Sequence, residues 1–335
     1  MKTILVTGGA GYIGSVLVRQ LLARDYRVRV VDRLDFGGES LMELFQEPAF
    51  ELVTADIRDK AVMQEALRGV DAVVHLAAIV GDPACARDTD LARSINLDGS
   101  LQLYDLADAA GVGRFVFAST CSNYGKMADE DALIDETSPL QPLSIYAETK
   151  VGVEKQLLAQ PATRTCKPTC LRFSTAYGCS PRLRLDLTVN EFTKELALGR
   201  ELLVFGAQFW RPYCHVRDLS RAAIAVIEAD ESLVAFDVFN VGDRRENYRK
   251  QMIVDCICEQ IPEAVIQYVQ KDEDPRDYRV SADKIKQTLG FEITKTVPDG
   301  IAEFRRIIQG GLLPDPDAAK YSNIAAMEAA QKRAA

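Results

Sequence analysis

Histidine is scarce in this chain: His75 and His215 are the only imidazoles in 335 residues. The eight cysteines, at 85, 121, 166, 170, 179, 214, 256 and 258, never form a C-x-x-C pair. These absences remove the usual zinc ligand sets and the redox dithiol motif, so no metal is expected and the thiols read as reduced and mostly buried. No apolar run reaches the ~18–20 residues that cross a bilayer, so no membrane partner is expected. Basic charge is short too, with 40 Lys and Arg against 49 Asp and Glu and a net charge of −9. Nucleic-acid binding needs a basic face and is excluded as a reading. A few placed arginines still suffice for a phosphorylated ligand. Met1-Lys2-Thr3 runs straight into an apolar strand without the small-residue cleavage site of a secretory signal, so a cytoplasmic protein is expected.

What the chain does have is ample apolar material, 47% hydrophobic against 27% charged residues, as in a soluble globular protein. In the first half, short apolar runs alternate with helix-length segments. Strands are predicted at Thr3–Val6, Arg27–Val31, Glu51–Val53, Ala72–Leu76, Arg114–Ala118 and Pro168–Phe173. Helical patterns lie between them, at Tyr12–Ala23, Lys60–Leu67, Leu91–Ala110 and Ser144–Leu158. Strands separated by helices specify parallel βαβ units with helices on both faces. The fold class is therefore α/β, a Rossmann-type doubly wound parallel sheet over residues 1–178. From 179 to 313, helices (Leu187–Leu198, Arg217–Glu228, Tyr248–Gln260, Pro298–Gln309) mix with short strands at Glu201–Phe205, Asp237–Asn240 and Val265–Val269. That texture reads as a smaller C-terminal α/β substrate-binding region packed directly on the first. The tail, 314–335, reads either as a surface helix or as frayed chain.

Val6-Thr7-Gly8-Gly9-Ala10-Gly11-Tyr12-Ile13-Gly14 follows the first strand and opens a helix, the context a dinucleotide turn requires. Gly8 permits the tight turn, Gly11 lets backbone approach a pyrophosphate, and Gly14 lets the helix lie close to the strand. The N–H groups and dipole of that helix favour the phosphates, with Tyr12 and Ile13 beside them. Asp32 closes the second strand, where a carboxylate accepts from the ribose hydroxyls and repels a 2′-phosphate. NAD is the expected cofactor, and Arg33 is the residue that would tolerate NADP instead. Further on, Tyr146 and Lys150 stand at i and i+4, hence on one helix face. A nearby ammonium favours a phenolate, so this pair suits a base for a hydroxyl proton.

With its Gly-x-x-Gly-x-x-Gly spacing, this combination resembles the extended short-chain dehydrogenase/reductase family, many of whose members act on nucleotide sugars. The resemblance spans roughly residues 3 to 310. It implies adenine binding at Ala55-Asp56-Ile57-Arg58, a cofactor-side turn at His75-Leu76-Ala77-Ala78, and a helix asparagine at Asn96. His75 itself reads as a packed strand-end imidazole. The resemblance makes Tyr146 and Lys150 catalytic, with Lys150 also holding the nicotinamide ribose. Thr120, in Ser119-Thr120-Cys121-Ser122-Asn123-Tyr124-Gly125, takes the place of the family's catalytic Ser or Thr. The next two positions carry Asp-Glu in 4,6-dehydratases of the family, whereas this chain has Cys121-Ser122. Cys121 reads either as a small packing residue or as an acid/base thiol. On the substrate side the resemblance implies contacts from Ser174 (cofactor), Cys121, Ser122, Thr175 and Thr188. It also implies a diphosphate clamp at Arg211, with Arg276 as a second clamp and Arg279 its rival.

The resulting expectation is an NAD-dependent epimerase of a nucleoside-diphosphate sugar, acting at C4 through a transient ketone. A 4,6-dehydratase, a 3,5-epimerase using Cys121, a ketosugar reductase and a non-catalytic NAD-sensing regulator on the same fold remain alternatives. The resemblance further implies a homodimer through the helices Leu91–Ala110 and Ser144–Leu158.

Overall fold

The computed structural model describes residues 1–127, 132–270 and 276–334, with side chains described to residue 328. Twelve strands occur among the described residues: β1 (Thr3–Thr7), β2 (Arg27–Asp32), β3 (Phe50–Thr54), β4 (Ala72–His75), β5 (Arg114–Thr120), β6 (Lys167–Phe173), β7 (Thr175–Tyr177), β8 (Glu201–Phe205), β9 (Trp210–His215), β10 (Asp237–Val241), β11 (Asn247–Arg249) and β12 (Val265–Val269). Seven of them form one sheet in the order β10-β6-β5-β4-β1-β2-β3, and every pairing in it is parallel. The sheet is the Rossmann-type arrangement expected from the βαβ rhythm.

Alternation along the strands builds a core on each face. Ile4 and Val6 of β1 pack with Leu17, Val18 and Leu21 of the helix Gly14–Leu22 and with Leu219, Ala222 and Ala223 of the helix Val216–Glu228. Leu5, between them, packs on the opposite face with Met63, Leu103, Tyr104, Val153 and Leu157. Burial on both faces explains why these strands read as nearly continuous apolar runs. The helix expected at Leu91–Ala110 is interrupted: Thr89–Arg93 passes into a π-helical stretch, Ser94–Gly99, before Ser100–Ala109 continues.

The second region is not a separate body. β7, β9 and β11 make a small sheet, and β8 pairs with β12, around a core that includes Tyr177, Phe192, Tyr213, Ile253 and Ile301. The segment expected as a strand of this region, Asp237–Asn240, instead returns to the main sheet as β10 and pairs with β6 from Asp237↔Thr169 to Val241↔Phe173. Its apolar run fits a strand buried in either sheet, so the pattern alone did not say which. The tail is helical over Asn323–Ala334. No helix among the described residues is long and apolar enough to cross a membrane.

One helix, Ile145–Leu158, is tied to the end of β5 by three residues spaced four apart, so that all share a face. Ser144 caps its start, its hydroxyl accepting from Ala147 N at 3.2 Å. Lys150 Nζ donates to Ala118 O at 2.8 Å, Ser119 Oγ donates to Glu154 at 2.8 Å, and Tyr146 is hydrogen-bonded to Thr120. Glu154 in turn forms a buried ion pair with Arg172 of β6, with side chains only 2% and 4% exposed. Arg172 Nη1 donates to Tyr124 Oη at 2.7 Å, and that hydroxyl donates to Asn240 Oδ1 of β10 at 2.7 Å.

Removing one partner of a buried ion pair strands the other's charge, a loss of about 3–5 kcal/mol. Glu154→Ala is expected to destabilise the protein by that order and Glu154→Gln by less; matched urea midpoints for all three proteins would contradict this account. A pH effect follows from Glu246, which accepts from Val297 N at 2.8 Å and from Tyr248 Oη at 3.3 Å. Burial raises its carboxyl from 4.5 to about 7, so the folded chain keeps a proton that the unfolded chain releases. The stability this contributes is complete below pH 4.5 and is lost as pH rises through 7, on the order of 3 kcal/mol. Melting temperatures of wild type and Glu246→Gln across pH 4.5–8 should therefore diverge, with the variant lacking that decline.

Candidate active site

In a doubly wound sheet a crevice opens where neighbouring strands send their connections to opposite faces, at the carboxyl ends of the strands. Here that crevice is a cleft of about 370 Å³ at the ends of β1, β2, β4, β5 and β6. It brings together Gly8, Gly11, Tyr12, Ile13, Gly14, Asp32, Asp56, Ile57, Leu76, Ala77 and Ala78 with Thr120, Ser122, Tyr146, Lys150, Ser174, Thr175 and Arg276. Residues scattered over some 270 positions of sequence thus share one wall.

The glycine turn is a cradle that side chains would fill. Gly8 has φ +75°, and a Cβ there would stand 2.8 Å from Ala77 N. A Cβ on Gly14 would come within 2.1 Å of Gly8 O, closing the gap between turn and helix. Asp32 braces the turn from β2: one carboxylate oxygen accepts from Ala10 N at 2.9 Å and the other from Leu34 N at 2.8 Å. Burial pushes its pKa upward. Asp56 is held by Arg58 at 2.7 Å and Arg33 at 3.1 Å, and the Arg58 hydrogen bonds bring its carboxyl down to about 2. Arg33 is thus paired with Asp56 and with Asp35 at 3.2 Å, which occupies the cation that would have favoured NADP.

A residue without an assigned role completes this end of the cleft. Arg182 is 6% exposed and stacks over the Phe36 ring at 4.5 Å, and its Nε and Nη2 have no hydrogen-bond partner among the described residues. Burial lowers its pKa to about 10. An unpaired buried guanidinium in the same cleft as a glycine turn fits a pyrophosphate, whose oxygens would satisfy it. The signal was present in Arg182-Leu183-Arg184-Leu185-Asp186: the leucines pack with Phe304, while the arginines face the cleft. The whole set fits a dinucleotide.

At the reacting end, Thr120 Oγ1 accepts from Ser122 N at 3.1 Å and is bonded to the Tyr146 phenol. Burial raises the Tyr146 pKa, with the charges of Cys85 and Asp82 adding to it, while Arg184 and Thr120 work the other way. Lys150 is buried, its ammonium over the Phe117 ring at 4.7 Å, and burial lowers its pKa to about 8. Its charge is spent on Ala118 O and not on a direct bond to the phenol. Asp82, on the opposite lip, accepts from Ser144 Oγ at 2.7 Å and pairs with Arg276 at 3.0 Å. Asp274 and Pro275, which precede Arg276 in its motif, lie outside the described residues.

Four expected site residues do not line the cleft. Asn96 stands behind it, its amide donating to Ile79 O at 2.9 Å and accepting from Ile79 N at 2.8 Å, so it fixes the loop that carries Leu76–Ala78. Cys121, expected to touch substrate, is turned inward among Tyr124, Met127, Tyr278 and Val280. Its thiol donates to Arg172 O at 3.2 Å, and burial pushes its pKa up to about 12. In that apolar cluster it serves as a packing residue. Thr188 bonds to Tyr213. Arg211, expected as the diphosphate clamp, donates to Trp210 O at 2.6 Å and lies over the Tyr278 ring at 5.5 Å.

His75 also takes its place here. Its Nε2 meets Ser100 Oγ at 2.8 Å and its Nδ1 meets Thr7 Oγ1 at 2.6 Å. Ser100 donates its own hydrogen to Asn96 O at 2.8 Å, so Nε2 carries the ring proton and Nδ1 accepts from Thr7. Burial lowers the ring to about 3, leaving a neutral brace beneath the cleft.

The family model for the NAD dependent epimerase/dehydratase family matches residues 4–242. A dTDP-glucose 4,6-dehydratase of an Actinoplanes species is 31% identical over 323 residues, covering 90% of this chain and 95% of that one. A UDP-glucose 4-epimerase of Rhizobium leguminosarum is 32% identical over 244 residues, covering 68% and 72%. Among solved structures, the dTDP-glucose 4,6-dehydratase of Streptomyces venezuelae with NAD bound superposes with a TM-score of 0.81 at 28% identity, covering 96% of this chain and 99% of that one. The UDP-glucose 4-epimerase of Thermotoga maritima with UDP-glucose gives 0.81 at 27% identity, covering 93% and 100%. The cofactor is NAD, and the chain belongs to the NAD dependent epimerase/dehydratase family.

Proposed function

We propose that this chain epimerises the hexose of a nucleoside-diphosphate sugar at C4. The glycine turn and Arg182 hold the pyrophosphate of NAD, Asp32 its adenosine ribose, Asp56 and Ile57 its adenine side, and Lys150 its nicotinamide ribose. Bound there, NAD supplies acceptance of a hydride and its return. Tyr146 takes the C4 hydroxyl proton, Thr120 hydrogen-bonds the same oxygen, and Tyr146 gives the proton back once the 4-keto sugar has turned. Arg184 and Thr120 already oppose the upward shift that burial imposes on the phenol.

The turn after β5 carries the choice of reaction. Eliminating water demands an acid and a base beside the sugar, yet Thr120 is followed by an inward-facing thiol and by the hydroxyl of Ser122. Among the described residues, the carboxylates lining the cleft are Asp32, Asp35 and Asp56 near the glycine turn, and Asp82, which is engaged by Ser144 and Arg276. A thiol held at about 12 is also a poor base for C3 or C5. For assembly we propose a homodimer through the helices Ser100–Ala109 and Ile145–Leu158, on which Leu101 and Leu158, with Leu97 just before the first, stay only partly buried. Sedimentation at micromolar concentration that returned only monomer would remove it.

The deciding experiment incubates the enzyme with UDP-, GDP-, CDP- and dTDP-hexoses in deuterium oxide, read by mass spectrometry and proton NMR. The expected product keeps its mass, carries no carbon-bound deuterium and differs only at C4. Loss of the mass of water with deuterium gained would establish the dehydratase reading instead, and exchange at C3 or C5 the 3,5-epimerase. Tyr146→Phe in the same assay should bind its substrate and lose turnover by about 10²–10⁴. Firm NAD binding with no turnover of any hexose would return the chain to a sensing role.

A further inference from the structure

The C-terminal arm crosses the cleft. Beyond the helix Val297–Gln309, Leu313 and Tyr321 pack on Leu183, Leu185 and Phe304, and Tyr321 O accepts from Leu185 N at 2.8 Å. Asp317 pairs with Lys194 at 3.0 Å and Arg200 at 2.6 Å. On the far lip the arm's helix packs against the helix Asp82–Arg87, where Glu328 pairs with Arg87. Between these anchors Asn323 lines the cleft. It is 9% exposed, and its Oδ1 has no hydrogen-bond partner among the described residues.

Asn323 is linked to the reacting end of the cleft by a chain of contacts. Its backbone N–H donates to Asp186 Oδ2 at 3.0 Å, and Asp186 holds Arg184 through two bonds of 2.8 and 3.0 Å. Arg184 is close enough to Tyr146 to act on its phenol, as is Asp82 on the opposite lip. A buried amide oxygen without a donor is costly unless something supplies one, and a sugar hydroxyl is a donor of that kind.

We propose that the arm is part of the substrate site, with Asn323 Oδ1 accepting a hydrogen bond from a hydroxyl of the hexose. This rests on the reading of the cleft as a nucleotide-sugar site. Neither the arm nor Asn323 falls within the residues 4–242 that the family model matches. At the far lip the helix contact is joined by a half-exposed ion pair, which adds little to its stability.

The test is calorimetric titration of the NAD-loaded full chain, wild type and Asn323→Ala, with UDP-, GDP-, CDP- and dTDP-hexoses and with the matching nucleoside diphosphates. For the nucleotide sugar that wild type binds, Asn323→Ala should weaken affinity about tenfold, while the bare nucleoside diphosphate binds as before and NAD content is unchanged. Equal weakening for both ligands, no weakening for either, or loss of NAD would overturn the assignment. Asn323→Ser repeats the comparison if the alanine variant melts early. Wild type that bound no nucleotide sugar would overturn the reading of the cleft and the arm's role with it; binding that is indifferent to residue 323 would overturn the arm alone.

Discussion

The buried pair between Glu154 and Arg172 is the constraint on which the site depends, because it fixes how one helix faces one strand. Tyr146, Lys150 and Glu154 recur every four residues and so form a single stripe. Each meets a consecutive residue at the end of β5: Thr120, Ala118 and Ser119 respectively. A helix rotated by even one position would break all three contacts and expose the charge of Arg172 to an apolar interior. Register is thereby enforced by an electrostatic penalty at the inner end of the stripe, while the chemistry sits at the outer end.

Elsewhere in the cleft, charge is kept in matched sets. Asp56 is shared by Arg58 and Arg33, Asp82 by Arg276 and Ser144, and Asp186 by Arg184 and the backbone of Asn323. Arg182 stands apart, its guanidinium stacked on Phe36 with donors left over. A net acidic protein can therefore present a locally cationic point to a phosphate without a basic surface.

Much of this was legible in the sequence where a short stretch of chain carries its own geometry. The Gly8–Gly14 turn, Asp32 at the end of β2 and the Tyr146/Lys150 spacing each depend on backbone form or helical period, which local sequence encodes. Cys121, Thr188 and Arg211 stand outside the cleft lining, held against Tyr278 and Tyr213 by long-range contacts that local sequence does not encode. Asn323 had no local signal at all: an alanine-rich helix start becomes a cleft wall only through Asp186, 137 residues earlier. The Asp237–Val241 run announced a strand but not its sheet, since β6 and the small second sheet offer equally apolar neighbours.

That last strand has a consequence for how the protein is made. Until Val241 has left the ribosome, β6 is an uncovered edge with its backbone donors and acceptors open, and the Tyr124 hydroxyl lacks its acceptor, Asn240. The N-terminal half alone lacks the strand that covers its sheet edge, however complete its glycine turn is. Nascent chains must hold that apolar edge unpaired while more than sixty further residues are synthesised, the stage at which edge-to-edge association competes with folding. Chaperone demand should therefore fall on the interval between the two strands and ease once β10 has docked.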